Sequence, residues 1–209
     1  MLVFVACEFS GVVREAFRSR GHQAWSCDLL PAEDKSAFHF NEDVFVALRW
    51  LSENGWHPDL MIAHPPCTYL SRAGYSWVNK PDSAELPLKG EPRRKAMVEA
   101  AQFFMALLNA PIPKICVENP RPIVHAGLPP YIQVIQPWMF GHGETKATCL
   151  WLKGIPPLVP THMKDDLFSE QEPSGREQRL HKLPPGPNRA KERSRTFSGV
   201  AKAMAEQWG

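Results

Sequence analysis

The sequence predicts an α/β protein organised around a doubly wound, mostly parallel sheet. Three observations point there. Short apolar runs recur at residues 2–7, 23–28, 59–63 and 114–117, too short for helices and suited to strands covered on both faces. Between them lie stretches with apolar residues at helical spacing. Glycine or proline stands where one pattern gives way to the next. Strands that alternate with helices through right-handed crossovers assemble into such a sheet.

Residues 2–7 form the first strand, broken by Glu8-Phe9-Ser10-Gly11. Val12, Val13, Ala16 and Phe17 then share one helix face, with Gly21 as its stop. Residues 23–28 form a second strand ending in the Asp28 carboxylate, and residues 44–54 a helix stopped by Gly55. The run 59–63 enters His64-Pro65-Pro66-Cys67, where prolines without an N–H end the strand. Residues 71–94, rich in Gly, Pro, Lys and Arg, read as a mobile loop. Met97, Ala101, Phe104 and Leu108 mark another helix face, and strand 114–117 is cut off by Glu118-Asn119-Pro120. Weaker strand patterns lie at 132–135 and 149–152, little periodicity over 153–196, and a closing helix over 199–208.

Composition narrows the class of protein. The 209 residues, 44% hydrophobic and 22% charged, suit one sizeable globular domain. No apolar run approaches the roughly 18 residues of a membrane span. Five cysteines without a CxxC pair argue against a disulfide framework and an all-cysteine zinc site, and place the chain in a reducing cytoplasm. The net charge of +2 is unevenly spread: residues 1–70 carry 5 basic against 9 acidic side chains, residues 171–209 carry 8 against 4. That is either an ordinary solvated surface or an acidic cofactor half beside a basic half facing a polyanion.

Ligands of open parallel sheets bind beyond the carboxyl ends of the strands, and four features fall there. Phe9-Ser10-Gly11 opens a helix, a turn that suits a ligand or nothing more; it lacks the GxGxxG of a dinucleotide site. Asp28 is placed to accept from ribose hydroxyls or to cap a turn. Cys67, after two prolines, is a rigidly presented thiol, whereas Cys7, Cys27, Cys116 and Cys149 read as core fillers. Glu118, at the end of an apolar strand, is expected to be partly desolvated with a raised pKa.

In this order Phe9-Ser10-Gly11, Pro65-Pro66-Cys67 and Glu118-Asn119 resemble the motifs of the cytosine-C5 DNA methyltransferases, and the segment 137–151 resembles a further motif with Lys146 and Thr148 in place of Gln-x-Arg-x-Arg. The resemblance covers residues 1–152 well and the tail only faintly, and the compact form resembles small members carried by phages and prophages. It implies a Rossmann-like methyltransferase fold and S-adenosyl-L-methionine as cofactor, bound by Phe9, Ser10, Gly11, Val12, Val13, Asp28, Leu29, Asp43, Val44 and Pro65. It implies DNA as substrate, either a duplex with the base flipped out or a single strand, contacted by Pro66, Ser71, Arg72, Asn119, Lys146 and Thr148. Cys67 would add to cytosine C6 and Glu118 would hold N3, without a metal. Arg72, Lys80, Lys89, Arg93 and Arg94 would close over the substrate and touch phosphates.

The chain departs from that family in three ways. Pro120 follows Glu118-Asn119 where valine is usual. Ser198-Gly199-Val200-Ala201 stands where Gly-Asn-x-Val is expected. The recognition region shrinks to residues 153–196, with Arg176, Arg179, Lys182, Arg189, Lys191, Arg193 and Arg195 suited to phosphates, before a helix at 197–209 that packs back on the catalytic part. These departures leave open a pyrimidine nucleotide substrate, a modified adenosylmethionine-type cofactor, a partner for targeting, or a methyltransferase-like module that binds DNA without turnover.

Overall fold

The computed structural model describes residues 1–162 and 188–209. Its centre is a seven-stranded sheet of β1 (Leu2–Ala6), β2 (Gln23–Asp28), β3 (His39–Asn41), β4 (Leu60–Ala63), β5 (Lys114–Pro120), β6 (Gln133–Ile135) and β7 (Thr148–Lys153). The strands lie in the order β3-β2-β1-β4-β5-β7-β6. β1 to β5 pair in parallel, and β7 runs antiparallel to both its neighbours. The strand order reverses at β1, whose two partners β2 and β4 come from successive crossovers, so the ligand crevice of such a sheet falls at the carboxyl ends of β1 and β4.

The sheet is buried on both faces, and period-two alternation sorts its side chains. Val3, Val5, Leu60 and Ile62 meet α1 (Val12–Arg18) and the C-terminal helix α5 (Ser198–Trp208) through Val13, Phe17, Val200 and Met204. Phe4, Ala6, Met61 and Ala63 face α2 (Val44–Glu53) and α3 (Gly90–Leu108) through Leu51, Met97, Phe104 and Leu107. Helices on both faces make the sheet doubly wound, as the alternating pattern predicts.

Four boundaries differ from expectation. β3 is three residues long, too brief to show a period. β5 runs through Glu118 to Pro120, because past Val117 it keeps β7 as partner after β4 has ended at Ala63. α3 begins at Gly90 within the expected loop; its first turn is polar and carries no apolar signal. A short helix, α4 (Asn188–Ser194), lies in the expected recognition region, while Arg176, Arg179 and Lys182 fall outside the described residues.

The start of α3 corrects the role expected of one basic residue. Arg93 is buried and donates to the Thr68 carbonyl at 2.9 Å, with its guanidinium 5.2 Å from the Tyr69 ring centroid. Arg94 donates to the Val78 carbonyl at 2.8 Å and pairs with Glu91. Arg93 braces the segment after Cys67 from within instead of presenting charge to phosphates, whereas Arg94, Arg72 and Lys80 keep exposed side chains.

The turn from β1 into α1 is built around a buried cation. Arg14 is 0% exposed and donates to Ser26 Oγ at 2.8 Å and Glu15 Oε1 at 2.9 Å, and it pairs with Asp34. Gly11 has φ +71°, and a Cβ there would run into the Arg14 guanidinium. So the glycine makes room for a side chain of the protein itself. Gly11→Ala therefore combines left-handed backbone strain of about 1–2 kcal/mol with displacement of a buried charge. Thermal unfolding should show a melting temperature lower by at least roughly 2–8 °C; an unchanged midpoint would contradict this account.

Candidate active site at the carboxyl ends of the strands

Parallel register sets the site. Ala63 of β4 lies beside Val117 of β5, so His64, the first residue past β4, comes beside Glu118, which stays in β5 paired with β7. His64 Nδ1 stands 3.2 Å from Glu118 Oε1, and the His64 N–H donates to the Ala6 carbonyl at 2.9 Å, tying the end of β4 to β1. Pro65 and Pro66 carry the chain to Cys67, whose carbonyl accepts from the Leu70 and Ser71 N–H groups in a tight turn. The two strand exits are then stitched together: Ile123 N–H donates to the Leu70 carbonyl at 2.8 Å, and Arg72 N–H to the Arg121 carbonyl at 3.1 Å. Ser71 bridges Pro122. The half-buried Cys67 and Glu118 thus share one neighbourhood, and the Glu118 charge acts on the thiol.

Electrostatics separates the groups by role. Burial raises the Cys67 thiol and the Glu118 charge adds to that, while Lys146 and Arg193 act against it. Burial alone would raise Glu118, as expected from sequence, but His64 and Lys146 outweigh it and the carboxyl is held below its ordinary value. Conversely, burial would lower His64, yet Glu118 and Glu8 raise it overall. The expected raised Glu118 is therefore corrected to an ion-paired carboxylate, because the residue that stabilises its charge sits at the end of the neighbouring strand and is invisible in its own segment. Burial pushes Cys27 up to about 12 and Cys149 up to about 11, and raises Cys7 and Cys116, in keeping with their reading as inert thiols.

On the substrate side, Pro66 and Arg72 are exposed and Ser71 is half-buried. Lys146 donates through Nζ to the Arg193 carbonyl at 2.9 Å. Thr148 is buried and its hydroxyl donates to the Lys146 carbonyl at 3.2 Å, so it shapes the strand end from within instead of facing a ligand. Asn119 is also buried, with Nδ2 donating to the Pro120 carbonyl at 2.6 Å and Oδ1 unpartnered among the described residues.

The expected cofactor residues divide. The start of α1 offers no open anion site: Glu8, 4% exposed, accepts from the Val13 and Arg14 N–H groups at 2.6 and 3.2 Å. Val13 and Val44 bury their side chains in the two cores, and Asp43 caps α2 by accepting from the Phe45 and Val46 N–H groups. Gly11 gives its space to Arg14. These positions serve the fold, which corrects the expectation for the Val13 and Val44 side chains. Asp28 Oδ1 accepts from Leu30 N–H at 2.9 Å, and beside it Leu29 is 76% exposed. Phe9 is buried with the Lys191 ammonium 5.1 Å from its ring centroid, Ser10 donates to Glu8 at 3.5 Å, Val12 is half-buried and Pro65 buried.

Sequence reasoning missed His64, Glu8 and Glu33. Glu33 pairs with Lys191 at 2.9 Å and with Arg195 at 2.6 Å, which draws α4 against the β2–β3 connection and over Phe9. A histidine adjoining the Pro-Pro-Cys motif was the available signal for His64; the other two had none. A cleft of about 370 Å³ lined by Ser19, Arg20, His22 and Glu206 lies where α1 ends against α5, away from all of these groups.

No protein-family profile and no curated protein matches the chain. A crystal structure described as a putative DNA modification methyltransferase encoded within an Escherichia coli prophage resembles it with a TM-score of 0.50 and 12% sequence identity, over 78% of this chain and 52% of that one. The chain thus spans about half the length of that structure. At this identity the likeness establishes the fold: a Rossmann-like α/β architecture. Among the described residues no helix is long and apolar enough to cross a membrane.

Differences in thiol environment predict an order of alkylation. With iodoacetamide at about pH 8, Cys67 should react before Cys27, Cys116 and Cys149, and Lys146→Met should slow Cys67 several-fold by removing a nearby cation. Peptide mass mapping over time reads both; equal rates in the variant would contradict the charge assignment.

Proposed function

We propose that this protein transfers a methyl group from S-adenosylmethionine to C5 of cytosine in DNA. The observation that carries the reading is a thiol and a carboxylate, both half-buried, in one neighbourhood where β4 ends beside β5. Its support is the resemblance of the three ordered motifs, and a fold similar to that of a protein described as a DNA modification methyltransferase.

The cofactor's chemistry fits the residues beside β1 and β2. Asp28 and Asp43 both act on the neighbouring Cys7 thiol, so this end of the sheet is electronegative and suits a sulfonium cation. Asp28 would hold the ribose, exposed Leu29 would cover the adenine, and Phe9 and Pro65 would line the floor. When bound, the cofactor supplies an electrophilic methyl group.

The chain's own residues would do the rest. Cytosine C5 is a weak nucleophile until a thiolate adds at C6. Burial raises the Cys67 pKa overall and so limits its thiolate at rest, while Lys146 and Arg193 work against that rise. Glu118 would hold N3 and relieve the charge that builds on the ring, and Arg72 and Lys80 would contact phosphates. A base in a duplex must first be flipped out, at a cost of a few kcal/mol.

Incubation with labelled S-adenosylmethionine and a duplex containing 5-fluorocytosine should trap a covalent adduct at Cys67, identified by peptide mass mapping. Cys67→Ser should form no adduct while still binding cofactor. Affinity for DNA should fall steeply between ~50 and ~200 mM salt. Methyl transfer by Cys67→Ser at the wild-type rate would remove the covalent mechanism, and transfer to free pyrimidine nucleotides alone would replace the polymer as substrate.

A further inference from the structure

His64 lies inside the proposed site but outside the motif residues that suggested it. Its side chain is 5% exposed, and neither ring nitrogen has a hydrogen bond of regular geometry among the described residues. Nδ1 faces Glu118 Oε1 at 3.2 Å. Three carboxylates act on the ring: Glu118 from β5, Glu8 from the β1 exit and Asp28 from the end of β2; Lys146, ahead of β7, opposes them. Those carboxylates raise the His64 pKa above its ordinary value although burial works against it, and without the imidazole the Glu118 carboxylate would lose its nearest cationic partner.

We infer that His64 is a positioning residue that fixes the Glu118 carboxylate toward the pyrimidine and stores the proton that Glu118 delivers to ring N3. This rests on the cytosine reading above. Glu118 is a carboxylate in the resting site and has no proton of its own to give, so the ring's proton has to come from behind it. As the Cys67 sulfur bonds to C6, the C5=C6 electron pair moves to C4–C5 and the C4=N3 pair moves to N3. N3 gains a proton through Glu118, and Glu118 regains one from His64 Nδ1. The thiolate's negative charge and the imidazolium's positive charge disappear together, leaving neutral sulfur, a neutral ring and an unchanged carboxylate. After C5 has taken the methyl group, the N3 proton returns to His64 through Glu118; a water molecule then takes the C5 proton, the C5–H electron pair forms C5=C6, and the Cys67 thiolate leaves.

His64→Asn tests this, because the asparagine amide can still donate to Glu118 but carries no transferable proton. The variant should fold, bind S-adenosylmethionine as the wild type does, and lose at least ~100-fold in single-turnover methyl transfer. The wild-type rate should fall on the alkaline side as His64 loses its proton above its ordinary value, and that limb should vanish in the variant. A His64→Asn rate within about threefold of wild type, with the alkaline limb intact, would overturn the inference. Independently of activity, nitrogen-15 NMR of the ring should show His64 doubly protonated at neutral pH in wild type and neutral in Glu118→Gln. A neutral His64 in wild type would overturn the inference even if His64→Asn failed to fold. Absence of any wild-type adduct with 5-fluorocytosine DNA would instead sink the cytosine reading and the N3 transfer with it.

Discussion

Two parallel strands, one of which stops where the other continues, organise this molecule. Once Ala63 and Val117 are in register, the first residue past β4 becomes the neighbour of the next residue of β5. Those residues are a histidine and a glutamate, each costly to bury alone and stable together. The hydrogen bonds from Ile123 to Leu70 and from Arg72 to Arg121 extend the contact beyond the sheet and tie the segment after Cys67 to the segment after Glu118. Every chemical role proposed for the site depends on this register.

A second theme is how much polar chemistry at the strand ends is spent on the fold. The amides at the start of α1, which would suit an anionic ligand, are occupied by Glu8. The space that Gly11 leaves is filled by Arg14, itself bound to Ser26, Glu15 and Asp34. Capping at Asp43 and the buried faces of Val13 and Val44 belong to the same scaffolding. The proposed cofactor side is thereby narrowed to Asp28, Leu29 and the Phe9–Pro65 floor. α4 lies over that floor through Lys191 and is held there by Glu33.

Most of the architecture was legible in the sequence, because buried parallel strands are short, apolar and bounded by breakers. β1, β2 and β4, the faces of α1 and α3, and the closing helix all announce themselves in that way. β3, α4 and the first turn of α3 did not: three residues show no period, and polar helical turns look like loops. Arg93 is instructive. In sequence it is one more basic residue in a polar stretch, whereas in space it is buried under Tyr69 and bonded to Thr68.

The amino-acid sequence by itself determined the class of fold and which side chains stand at strand ends, since both depend on local patterns of apolar residues, glycine and proline. Tertiary structure alone decided the charge state of those side chains. The pKa of Glu118 is lowered where its own segment predicts a rise, because the opposing influences come from the end of β4 and from Lys146 ahead of β7. Charge acts through space and not along the chain, so the partner of a buried carboxylate can be named only when the strands have been brought together.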